Sequence, residues 1–130
     1  MYKSITTNLM VESVDESIAF YQDILGFSVL TSVPSESGGL QFAILSKDGL
    51  NLMMQEKGDL IKEYPSLNTS RVQPSVTLYI TVDDFGGLYE ELKDKYNILS
   101  DVHETFYGTK EFAIADNNGY VLTITEHKAG

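Results

Sequence analysis

Residues 6–11 and 77–82 each alternate apolar and polar side chains: Leu9 and Val11 against Thr6, Asn8 and Met10, and Leu78, Ile80 and Val82 against Thr77, Tyr79 and Thr81. A period of two is the signature of a strand with one face packed and the other left for other uses. A helical period follows each strand. Val14, Ile18, Tyr21 and Leu25 recur at helical spacing in the first, and Phe85, Tyr89, Leu92 and Tyr96 in the second. Ser13 and Glu16 form a Ser-x-x-Glu capping box, and Asp84 stands where a cap is needed in the second copy. Gly26 supplies a left-handed stop for the first helix, and Asn97 is expected to take the same part in the second.

The correspondence continues downstream. Residues 41–57 align without a gap on residues 111–127, and six of the seventeen positions are identical: Phe42/Phe112, Ala43/Ala113, Ile44/Ile114, Gly49/Gly119, Leu52/Leu122 and Glu56/Glu126. The paired glycines fall within Lys47-Asp48-Gly49 and Asn117-Asn118-Gly119, which read as hairpin turns needing positive φ. One more strand lies between helix and hairpin in each copy, near residues 28–33 and 98–103. The result is βαβββ twice, an internal repeat in a single domain of residues 1–130: module one over about 4–57, a connection over about 58–74 with a short helix near 60–64, and module two over about 75–128.

Composition narrows the function. Nine Lys and Arg against nineteen Asp and Glu leave a formal charge of −10, a field that repels phosphate backbones and anionic lipid surfaces, so neither nucleic acid nor membrane is an expected partner. The same field concentrates cations, although acidic surfaces also serve solubility alone. The absence of cysteine removes disulfides, thiolate metal sites and a cysteine nucleophile, which suits a reducing compartment. No basic start followed by an apolar run marks a secretory signal, and no stretch approaches the length of a membrane span, so a cytoplasmic location is expected.

The run LMVESVDESIAFYQDILGF (residues 9–27) is similar to the first strand and helix of the vicinal oxygen chelate superfamily, which includes glyoxalase I, extradiol dioxygenases and bleomycin-binding proteins. Tyr107-Gly108-Thr109-Lys110-Glu111-Phe112 and Asp116-Asn117-Asn118-Gly119-Tyr120 resemble its YG-x-x-x-F and DP-x-GY segments, with Asn117 in place of the common proline. The resemblance spans nearly the whole chain. It implies an α+β fold in which two tandem βαβββ modules form curled, cup-shaped mixed sheets, with helices outside and a binding cavity inside. It also implies a homodimer, since cavities in the family are commonly completed by a partner's module. Such a fold does not fix a function.

The metal-dependent relatives place His or Glu at four inward positions, which correspond here to Thr6, Met53 (or Asn51, two residues away on the same face), Thr77 and Thr123. Hydroxyl, amide and thioether groups hold divalent first-row metals poorly compared with imidazole and carboxylate. No metal and no other cofactor is therefore expected, and the Lewis-acid chemistry shared by the metal-dependent relatives has no ligands to rest on. Alternation places Thr6, Asn8, Met10, Asn51, Met53, Gln55, Thr77, Tyr79, Thr81, Val121, Thr123 and Thr125 on the cavity side, a face without His, Asp, Glu or Cys. The opposite, helix-packed side takes Leu9, Val11, Leu50, Leu52, Met54, Leu78, Ile80, Val82, Tyr120, Leu122 and Ile124.

These observations favour a metal-independent protein that sequesters a small amphipathic ligand, with a cationic one favoured by the acidic field, as bleomycin-resistance proteins do. The candidate ligand-binding residues are Asn8, Met10, Asn51, Met53, Gln55, Tyr79, Tyr107, Glu111 and Thr123; Met10, Met53 and Tyr79 equally suit ordinary packing. An alternative is an atypical lyase, isomerase or transferase using Glu111, His103 or Tyr107 as acid-base groups. A lone His near a strand end, such as His103, is more often a surface residue, and His127 reads as solvated. A third reading is a regulatory subunit without a ligand. Alternation does not decide whether Gln41 and Glu111 or Phe42 and Phe112 face the cavity, because both sides of that strand read apolar beyond its first residue.

Overall fold

The computed structural model describes residues 1–127 and contains both strand-helix pairs. In the first unit, Met1–Gln73, β1 (Asn8–Val11) leads into α1 (Val14–Asp23), then β2 (Ser28–Pro34), β3 (Leu40–Lys47), β4 (Leu50–Glu56), a short helix α2 (Lys57–Glu63) and a 3-10 turn at Pro65–Leu67. The second unit, Pro74–Gly130, runs β5 (Thr77–Val82), α3 (Phe85–Lys95), β6 (Ser100–Glu104), β7 (Lys110–Ala115) and β8 (Val121–Glu126). Each unit has one four-stranded mixed sheet, in the order β1-β4-β3-β2 and β5-β8-β7-β6. The first and last strands are parallel neighbours and the hairpins are antiparallel. This is an α+β fold of two βαβββ modules.

Local chemistry sets the helix ends. Ser13 Oγ accepts the Glu16 amide at 3.1 Å and Asp84 accepts the Gly87 amide at 3.1 Å, each covering one of the amides a helix start leaves unpaired. Gly26, at φ +76°, turns the chain so that its amide and that of Phe27 return to the carbonyls of Gln22 and Tyr21. Asn97 does not take the corresponding part: Asp48 is the one non-glycine residue with positive φ among the described residues, and α3 stops with Tyr96 already extended at φ −149°. The structure also shortens the first strand, leaving Thr6 exposed ahead of it, although the Met53 amide still reaches the Thr7 carbonyl at 2.9 Å.

The helix-packed faces form the core. Leu9, Val11, Ala43, Leu45, Leu52 and Met54 are buried in the first unit, with Val14, Ser17, Phe20 and Tyr21 of α1; Phe112, Ile114, Leu122 and Ile124 are buried in the second, with Leu92 of α3. Leu50, expected on this face, lies beside the turn and is exposed.

The two hairpins differ by one residue, and this sets the chemistry of the second sheet. In the first, Lys47 pairs with Leu50 across the two-residue turn Asp48-Gly49, both at positive φ. In the second, the Asp116 amide donates to the Tyr120 carbonyl at 2.8 Å across three residues, with Gly119 at φ +95°, while the Asp116 carboxylate holds the amides of Asn118 and Tyr120 at 2.9 Å each. A one-residue slip turns every side chain of a strand to the other face. Phe42 thus lies opposite Gln55 on the open face, whereas Phe112 lies opposite Ile124 on the helix face. Identical Phe-Ala-Ile runs point in opposite directions.

Candidate functional site

Register determines which side chains share the open face of the second sheet. Thr77, Tyr79 and Thr81 pair with Val121, Thr123 and Thr125, which pair in turn with Ala115, Ala113 and Glu111, and His103 pairs with Glu111. The alternative left open by alternation is decided for Glu111. The expectation that this face carries no carboxylate or imidazole is overturned, because the three-residue loop shifts β7 by one position.

Glu111 is 6% exposed, and a buried carboxylate needs donors. Its Oε2 accepts from the Tyr79 hydroxyl at 2.6 Å, the Tyr107 hydroxyl at 2.6 Å and the Thr109 hydroxyl at 3.3 Å. Burial pushes the Glu111 carboxyl up, but these three hydroxyls and the nearby His103 outweigh it and hold the carboxyl below its ordinary value. In return the Glu111 carboxylate, followed by Tyr79, pushes the Tyr107 phenol up to about 12. The group is an anchored anion, and its basicity is reduced by the hydroxyls that stabilise its charge.

Tyr107 is delivered by the β6–β7 loop, which is closed on itself. The Thr105 amide donates to the Thr109 carbonyl at 2.8 Å, the Gly108 amide to the Thr105 carbonyl at 3.0 Å, and the two threonine hydroxyls meet at 2.9 Å. Gly108 sits at φ +89°, where a side chain is disfavoured. The loop leaves Phe106 fully exposed and Tyr79 and Tyr107 each 54% exposed, with the Phe106 and Tyr107 rings edge to face at 5.0 Å. Of the sequence candidates, Tyr79, Glu111 and Thr123 share this face, and Tyr107 reaches it from the loop. Sequence reading missed Thr109 and Phe106, whose nearest signal is the Thr105–Thr109 pair bracketing the YG segment.

The candidates of the first module share one face of the first sheet: Asn8 opposite Met53, Met10 opposite Gln55, and Asn51 opposite Ser46. Met10 and Met53 are half-buried, and Asn8 and Asn51 exposed. Gln55 is buried, its Oε1 accepting from Asn8 at 2.9 Å and its Nε2 donating to Asp59 at 2.8 Å and Glu63 at 3.0 Å. Both amide protons are therefore committed to bracing α2 against β4.

The four positions that bind metal in the metal-dependent relatives do not fit a metal. Thr6 precedes β1, Met53 faces Asn8, Thr77 faces Val121 and Thr123 faces Tyr79, so each offers a hydroxyl or a thioether where a first-row ion needs imidazole or carboxylate. No group of three His, Cys, Asp or Glu capable of holding an ion occurs among the described residues. His103 is exposed with Nδ1 2.9 Å from the Asp101 carbonyl, and His127 is exposed at the end of β8. No helix among them is long and apolar enough to cross a membrane.

The family model of the Glyoxalase/Bleomycin resistance protein/Dioxygenase superfamily matches residues 4–124, and the chain belongs to that superfamily. Among solved structures it is similar to TioX from Micromonospora sp. ML1 (TM-score 0.74, 16% identity, 98% of this chain and 100% of that one). It is also similar to a glyoxalase-related enzyme from Fulvimarina pelagi (0.77, 18%, 98% and 89%) and to a glyoxalase/bleomycin resistance protein/dioxygenase from Nocardioides (0.77, 18%, 100% and 87%). At these identities the likeness is one of fold. A search of curated proteins finds no match.

Proposed function

We propose that this chain is a metal-independent small-molecule-binding protein of the bleomycin-resistance kind, and that it holds an amphipathic cationic ligand against the open face of β5, β7 and β8. The observation that carries the reading is Glu111, a nearly buried carboxylate anchored by three hydroxyls beside two half-exposed tyrosine rings. A fixed negative charge among aromatic surfaces suits an organic cation, whose charge pairs with the carboxylate and whose skeleton lies on the rings. The superfamily's use of metal to polarise substrate oxygens finds no ligand set here.

The pKa directions weigh against acid-base catalysis by these residues. A general base works best with a pKa near the working pH, whereas Glu111 is held below its ordinary value and Tyr107 is raised to about 12. Titration calorimetry with metal-free bleomycin and with smaller aromatic amines tests the proposal. Saturable binding without turnover, weakened in Tyr79→Ala by roughly 5- to 150-fold, is expected. Binding confined to anionic ligands, or chemical conversion of the ligand, would overturn it.

A further inference from the structure

We propose that the free oxygen of Glu111, Oε1, seats a nitrogen that still bears hydrogen, so that the ligand class is a protonated primary or secondary aryl-alkylamine rather than a quaternary ammonium. The inference rests on the reading of this face as a cation site and specifies the cation.

The asymmetry of the carboxylate carries the argument. Tyr79, Tyr107 and Thr109 all donate to Oε2, and no described residue donates to Oε1. The side chain is 6% exposed, yet no fully enclosed side-chain oxygen lacks a partner among the described residues, so Oε1 keeps an opening to solvent. An ionised acceptor at the edge of a buried site that lacks a donor gains most from a charge-assisted hydrogen bond. The sheet offers no such donor itself. Across the ladder from Glu111 stand Thr125, whose hydroxyl is turned to the Lys110 carbonyl at 3.4 Å, and His103, whose Nδ1 meets the Asp101 carbonyl. The ion pairs of lysine among the described residues are with Glu12, Glu90 and Glu91.

The rings add a second requirement. Two phenol hydroxyls meet at Oε2, so the Tyr79 and Tyr107 rings extend away from the carboxylate, and each is half exposed, with Phe106 beyond Tyr107. Ring faces attract any organic cation, quaternary ones included. The charge on Oε1 attracts either kind, but only a cation that can donate an N–H gains a charge-assisted hydrogen bond there. An aryl group one carbon from an ammonium supplies both the donor and a surface for the rings.

The experiment compares benzylamine, N-methylbenzylamine, benzyltrimethylammonium and benzyl alcohol with the intact chain, following amide shifts of Glu111, Thr109 and Thr123 by two-dimensional NMR up to millimolar ligand. The two N–H cations are expected to bind at least about tenfold more tightly than the quaternary ion and the alcohol. Glu111→Gln, checked for unchanged amide dispersion, is expected to abolish that preference. Equal affinity for benzylamine and benzyltrimethylammonium on the unaltered protein would overturn this inference and leave the cation site standing. Absence of any cation binding at this face would overturn both. Because the decisive comparison is between ligands on the unaltered protein, it holds even if the variant folds poorly.

Discussion

The opposed registers of the two hairpins can be tested by the same substitution at two positions that the sequence repeat treats as equivalent. Phe112 is fully buried on the helix face, its ring 5.3 Å from Phe85 and 5.2 Å from Tyr89 in edge-to-face contact. Phe112→Ala removes a whole buried ring and leaves a cavity beneath α3, at a cost of about 3–5 kcal/mol, near the upper end because two aromatic pairs are also lost. Phe42 occupies the open face opposite Gln55 and is half-buried, so Phe42→Ala should cost only about 1–2 kcal/mol by area. Ile114 and Ile44 should repeat the contrast, since Ile114 is fully buried and Ile44 is not. Urea unfolding followed by far-ultraviolet circular dichroism measures this, and at a slope of about 2 kcal/mol/M a difference of about 2 kcal/mol moves the midpoint by about 1 M. Equal costs at residues 42 and 112, or the larger cost at 42, would show that β7 is in the register of β3. Glu111 would then leave the open face and the site would dissolve.

Three further outcomes follow from the same geometry. Because the folded pKa of Glu111 is depressed, its contribution to stability is present above the unfolded value of about 4.3 and is lost as pH falls through the folded pKa; Glu111→Gln should therefore flatten the acid limb of urea midpoints measured from pH 7 to 2, and identical limbs would contradict this. Elemental analysis of untagged protein should find no stoichiometric Zn, Ni, Mn or Fe, and one ion per chain lost in Thr6→Ala or Thr77→Ala would refute the ligand argument. Light scattering at micromolar concentration should give about twice the 14.5 kDa chain mass, and a monomer there would remove the proposed homodimer.

Much of the fold was legible because its determinants are local. Strand alternation, the Ser13 and Asp84 caps, Gly26 and the turn glycines each act within a few residues, and the internal repeat lets one half corroborate the other. Asn97 misled because an asparagine after a helix favours, but does not enforce, a left-handed stop; α3 ends with Tyr96 extended instead. The site was only partly legible. Tyr79 and Thr123 followed from the two-residue period of strands whose apolar side was plain. Glu111 did not, because Phe-Ala-Ile reads apolar on both sides, and the gapless alignment of residues 41–57 with 111–127 conceals the change of turn. The three-residue turn shifts β7, and tertiary packing accepts the shift: α3 presents Phe85 and Tyr89 to the Phe112 ring, while in the first unit Ala43 and Leu45 take the buried side of β3. Which of two faces a strand buries is a contest between whole sets of side chains, and a helix distant in sequence can settle it. The sequence by itself thus determined which elements form and in what order. Only the tertiary structure placed a carboxylate beneath two tyrosine hydroxyls, because a single residue of register lies in the pairing of strands rather than in the order of residues.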